Sequence, residues 1–79
     1  MTQRELGLLV EGRTAASSGR GQRLRESAGL NQSDLARLVG VTPATINRWE
    51  SGARCPSGPA AAAYAQALRK IAQEVALYV

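Results

Sequence analysis

Between Leu30 and Gly52 the chain spells out the same helix-start pattern twice in succession, and nothing else in the sequence constrains the fold as tightly. In Leu30-Asn31-Gln32-Ser33-Asp34-Leu35, Asn31 reads as a helix N-cap and Asp34, three residues on, as its reciprocal partner. Leu30 and Leu35 are placed to staple across that cap. The helix continues through Ala36, Leu38 and Val39 and stops at Gly40. Val41-Thr42-Pro43-Ala44-Thr45-Ile46 follows at once. Here Thr42 caps, Val41 can staple to Ile46, and Pro43 takes the first helical position, where its missing N–H costs nothing. This second helix ends at Ser51-Gly52. Two short helices joined by a tight turn at Gly40 make a helix-turn-helix unit.

The flanking segments also read as helices. Thr2-Gln3-Arg4-Glu5 is a capping box with Leu6, Leu9 and Val10 behind it and Gly12 as a stop. Arg13 to Gly21 is polar, with the character of a linker or a loosely held helix start. Arg20 to Ala28 is helical and closed by Gly29. Pro56-Ser57-Gly58-Pro59 opens the last segment with Ser57 as cap, and no breaker follows before Val79. Along it Ala61, Tyr64, Leu68, Ile71, Val75 and Tyr78 recur every three or four residues, which is one apolar helix stripe with coiled-coil spacing. No strand pattern and no internal repeat is present. The expected fold is therefore all-α.

Composition narrows the function. With 79 residues the chain makes one domain, near the lower size limit for folding without disulfides or metal. The lone Cys55 cannot form an internal disulfide, and with no histidine a zinc site of the usual Cys/His type is excluded. No apolar run approaches the ~18–20 residues that cross a bilayer. The first residues lack a signal-peptide pattern, so a cytoplasmic, nucleoid-associated protein is expected. Neither a nucleophile–base pair nor a phosphate-cradling glycine loop is evident, and no enzyme activity or cofactor is expected. Net charge is +4, and nine of the ten basic residues are Arg. Guanidinium forks bind phosphates and guanine edges bidentately, which favours a polyanionic partner.

The ordered set Leu24-Arg25-Glu26, Gly29-Leu30-Asn31-Gln32, Leu35-Ala36, Val39-Gly40-Val41, Thr45-Ile46, Trp49-Glu50, Gly52 and Pro56 resembles the Cro/lambda-repressor-type (XRE-like) helix-turn-helix family over roughly residues 20 to 71. The resemblance implies a compact bundle of about five helices whose segment 43–51 enters the major groove of double-stranded DNA. Such a chain is expected to act as a phage or bacterial transcriptional repressor. Ile46 and Trp49 then serve the core, and Ala44, Thr45, Asn47 and Arg48 face the bases. Arg48 is the strongest candidate, because it can bond guanine O6 and N7 together. Pro43 and Ala44 depart from the polar residues common at those positions and leave only shape and methyl contact, which shifts weight to Thr45, Arg48 and indirect readout. Gln32, at a helix N-terminus, is implied to bond a phosphate. Thr42, Arg54 and Arg37 are further phosphate candidates. Arg25 and Glu50 match positions that pair as an ion bridge in relatives.

Three divisions are expected: an N-terminal extension with a short helix and linker at 1–18, the DNA-binding domain at 19–72, and the end of a long C-terminal helix at 73–79. Gly21 lies where the family places an apolar residue, and Leu6, Leu9 and Val10 could supply the missing core by docking. Val75 and Tyr78 outrun the small core, which points to a homodimer. The alternative for that end is a toxin or other protein partner, with the chain acting as antitoxin or adaptor.

Overall fold

The computed structural model describes residues 1–78 and contains five helices: α1 (Gln3–Ser17), α2 (Arg20–Ser27), α3 (Gln32–Val39), α4 (Pro43–Ser51) and α5 (Gly58–Leu77). No strand occurs among the described residues. Helices α3 and α4 start where the local signals place them. Asn31 Oδ1 accepts from the Asp34 N–H at 2.8 Å and Asp34 Oδ2 accepts from the Asn31 N–H at 3.0 Å, closing the capping box. Thr42 Oγ1 accepts from the Thr45 N–H at 3.2 Å. Each such cap contributes about 1 kcal/mol. Between the two helices the chain reverses at Gly40, whose φ of +89° is open to glycine at little steric cost.

The core lies where α3, α4 and α5 meet α1 and α2. Leu35, Ile46 and Tyr64 are completely buried, with Trp49, Leu68 and Ile71 nearly so. The rings of Trp49 and Tyr64 meet at a centroid separation of 5.1 Å and a tilt of 56°, within the range favoured by edge-inclined aromatic pairs. Ala15 and Ala16 of α1 belong to the same cluster.

The N-terminal helix differs from expectation. It runs through Gly12 to Ser17 instead of stopping at Gly12, so residues 13–17 are helix and not linker. Gly12 is buried against α5, and a Cβ there would collide with the Ala61 carbonyl oxygen. Its missing side chain serves close helix packing rather than termination. The end comes later, at Ser18 and Gly19. The docking face also shifts: Leu8 is buried, whereas Leu6 and Val10 are each 51 % exposed. Gly21 leaves room for Tyr64, since a Cβ there would meet its hydroxyl and lie 2.9 Å from Cζ. The expected shortfall in apolar core at this position is therefore filled from α5.

On α5 the stripe holds through Ile71 and then fades. Val75 is half-buried against the core, and Tyr78 is 86 % exposed. Ser57 precedes the helix as expected but makes no side-chain capping bond.

Candidate nucleic-acid interface

Helix α4 is held by one face and open on the other. Ile46 and Trp49, three residues apart, are buried in the core, and Ala44, Asn47 and Arg48 are exposed. Among the described residues neither Asn47 nor Arg48 makes a side-chain hydrogen bond or ion pair, so both side chains are available to an incoming surface. Thr45 is less free. It is half-buried, and its hydroxyl shares a 2.9 Å hydrogen bond with that of Thr42. Pro43 and Ala44 add no polar side-chain atom, so the open face of α4 combines a small apolar start with an amide and a guanidinium one turn later.

The other end of α4 is tied to α2 and α3 through one carboxylate. Arg25 donates from Nε to Glu50 Oε2 at 2.7 Å and from Nη2 to Oε1 at 2.9 Å. Its Nη1 also donates to the Leu30 carbonyl at 2.9 Å. The Arg25 and Glu50 side chains are 10 % and 4 % exposed, so the pair joins α2 to α4 away from water. The hydrogen bonds to Glu50 raise the Arg25 pKa above its ordinary value against the opposing effect of burial. Gln32 Nε2 donates to the same Glu50 Oε1 at 3.0 Å. Only the NH2 end of an amide can face a carboxylate, so Gln32 is oriented with its second N–H and its carbonyl still unused.

The remaining candidates differ in their surroundings. Arg37 reaches back to Asp34 at 2.6 Å while staying 76 % exposed, so its charge is shared with a carboxylate on its own helix. Arg54 is exposed on the loop after α4, whose backbone folds back so that the Arg54 N–H donates to the Arg48 carbonyl at 3.1 Å. Gln32, Glu50 and Arg25 thus form one cluster, Thr42 and Thr45 a second at the start of α4, and Arg48 and Arg54 flank its end. Among the described residues, Val75 on α5 and Tyr78 at its C-terminal cap share no hydrogen bond with any of these clusters. Two features have no counterpart in the sequence reading. The Gln32–Glu50 bond joins helix starts and ends that no local pattern pairs. Arg13 of α1 donates to the Pro56 carbonyl at 3.2 Å across 43 positions. Neither leaves a local sequence signal.

Among the described residues no group of Cys, Asp or Glu side chains is arranged to hold a metal ion, and no helix is long and apolar enough to cross a membrane. A capped helix pair with an anchored second helix and a polar outer face defines a helix-turn-helix module. The family model described as Helix-turn-helix matches residues 22–72, and the chain belongs to that family of Cro/C1-type, XRE-like DNA-binding regulators. Comparisons with curated proteins and with solved structures find no match.

Proposed function

We propose that the chain is a sequence-specific repressor that lays α4 in the major groove of double-stranded DNA. The observation that carries this assignment is the two-sided character of α4. Its inner face is locked by Ile46 and Trp49, while its outer face offers Ala44, Asn47 and Arg48 to solvent. A helix fits the major groove, and its first residues meet base edges there. Arg48 reads guanine, Asn47 reads a neighbouring base edge, and Ala44 offers a methyl to thymine. Thr45 contributes chiefly through its methyl group, because its hydroxyl is bonded to Thr42. Gln32, held by Glu50, directs its second N–H to a phosphate. Thr42, Arg54 and Arg37 add backbone contacts that position the protein without reading sequence.

A second copy completes the operator contact. Ala28, Leu30, Leu38, Ile71, Lys70 and Glu74 line an apolar depression of about 290 Å3, and a second depression beside it is lined by Val75 and Tyr78. Lys70 and Glu74 stand one turn apart and form no ion pair among the described residues. Two α5 helices running antiparallel would set each Lys70 against the other copy's Glu74. Such a dimer places two α4 helices on half-sites about one helical turn apart.

Binding to the DNA upstream of the chain's own gene, compared with unrelated duplex of equal length across a salt series, tests the assignment. Selective binding with a steep salt slope supports it. Weak and equal binding to both duplexes refutes it. In sedimentation, a mass that stays monomeric at all concentrations refutes the second copy.

A further inference from the structure

Helix α1 lies outside the matched span of residues 22–72, yet it touches the loop that follows the DNA-facing helix. That loop, residues 52–57, is held by few bonds. The Arg54 N–H donates to the Arg48 carbonyl at 3.1 Å, and the Ala53 N–H donates to Ser51 Oγ at 3.4 Å. Both partners belong to α4 itself. Among the described residues, two hydrogen bonds tie the loop to other helices: the Ala61 N–H of α5 donates to the Ser57 carbonyl at 3.3 Å, at the loop's far end, and Arg13 Nη1 of α1 donates to the Pro56 carbonyl at 3.2 Å. Pro56 is fully buried, so a change in that bond is transmitted through a packed residue. Ala16 and Ser17 of α1 also share a small cleft with Trp49, Gly52, Arg54 and Cys55. The last turns of α1 therefore brace the loop from outside, on the side where Arg54 emerges.

We propose that Arg13 is a positioning residue of the DNA interface, which by holding the Pro56 carbonyl sets the posture from which Arg54 reaches a phosphate. This rests on the DNA-binding assignment above for its functional half, whereas its structural half is readable without DNA. Without the Arg13 bond the loop is held only at its two ends, by α4 and by the first turn of α5; it then samples more conformations, and ordering it on binding costs affinity. The tether supplies that order beforehand. α1 stays docked without Arg13, because Gly12 packs on Ala61 and Ala15 and Ala16 sit in the core, so Arg13→Ala keeps its fold.

The test uses the full chain in six forms: wild type, Arg13→Ala, Arg13→Lys, Arg54→Ala, the Arg13→Ala/Arg54→Ala double variant, and Arg4→Ala, which removes the same charge elsewhere on α1. Amide hydrogen exchange is read first. Arg13→Ala is expected to speed exchange at the Arg54 N–H while leaving α5 amides protected; unchanged protection at Arg54 overturns the proposal, whatever happens with DNA. Affinity for the preferred duplex is read next. Arg13→Ala and Arg54→Ala should each lower the salt slope by about 0.9, the release expected for one lost phosphate contact. The double variant should bind no more than about twofold worse than Arg54→Ala, since uncoupled contacts would add. Arg13→Lys, which can still donate to Pro56, should recover most of the loss, and Arg4→Ala should bind nearly as wild type. Additive losses mean that Arg13 contacts DNA directly, which overturns the positioning role. Failure of the wild-type protein to select any duplex overturns the DNA assignment, while the exchange result still decides the tether.

Discussion

Placing one methyl group at Gly21 tests how the core was closed. Gly21 is buried near the start of α2, and a Cβ there would strike the Tyr64 hydroxyl, with Tyr64 Cζ at 2.9 Å and Leu68 Cδ1 at 3.3 Å. Tyr64 cannot swing aside, because it is completely buried and packed against Trp49. Overpacking of this kind costs about 1–3 kcal/mol. The gain in helix propensity from Gly to Ala returns about 1 kcal/mol at most. With the Tyr64 hydroxyl and Cζ both inside 3.0 Å of the new Cβ, the overpacking cost falls in the upper part of its range, so Gly21→Ala should lose about 1–2 kcal/mol, a drop in melting temperature of roughly 4–16 °C for a domain of this size. Tyr64→Phe removes the closest of the colliding atoms and leaves Cζ only marginally too near, and that hydroxyl has no hydrogen-bond partner in the structure. A buried unpaired hydroxyl costs about 1–3 kcal/mol, so Tyr64→Phe alone should be neutral or stabilising. The double variant should recover at least about 1 kcal/mol relative to the sum of the singles. Urea unfolding followed by the fluorescence of the single Trp49 measures all four proteins. Additivity within about 0.5 kcal/mol, or a Gly21→Ala variant as stable as wild type, refutes the steric account.

Three further outcomes follow from the same geometry. Glu50→Ala strands the buried Arg25 and should cost about 3–5 kcal/mol, whereas Glu26→Ala removes an exposed carboxylate 4.0 Å from Arg25 and should change little; equal melting temperatures would contradict this. Burial pushes the Tyr64 phenol up to about 12 from 10.0. Because the folded value is the higher one, its contribution is complete below pH 10 and is lost as pH rises from 10 towards 12. Two units correspond to about 2.7 kcal/mol, and the excess alkaline sensitivity of wild type over Tyr64→Phe in unfolding curves checks it. Finally, Arg48→Ala should cost about 1–3 kcal/mol and relax preference at one base position. Arg54→Ala should weaken all sequences alike; binding to a panel of single-substitution duplexes separates the two.

The dimer proposed above would be built on α5. Its stripe has coiled-coil spacing, yet Val75 turns partly into its own core while Tyr78 stands in solvent. Any seam between copies therefore draws on Leu38, 54 % exposed, and Tyr78 more than on Val75.

What the sequence determined by itself is local. Asn31 with Asp34, Thr42 with Thr45, Pro43 at the start of α4 and the glycines after α3 and α4 act within three to five residues. Their helix ends could be read because both partners of each bond lie in one short window. The buried face of α4 was legible for the same reason, since helical spacing alone puts Ile46 and Trp49 on one side. Tertiary structure decided the rest. A glycine at position 12 could end a helix or admit a neighbouring backbone, and only the approach of Ala61 selects the second. Gly21 looked like a missing side chain until Tyr64, far along the chain, occupied its space. The choice of Leu8 over Leu6 and Val10, the bond from Gln32 to Glu50 and the tether from Arg13 to Pro56 likewise depend on partners that meet only after folding. Periodicity marks which face of a helix turns inward, but it does not say which distant segment meets that face or which distant groups share a hydrogen bond, so no local pattern encodes those pairings.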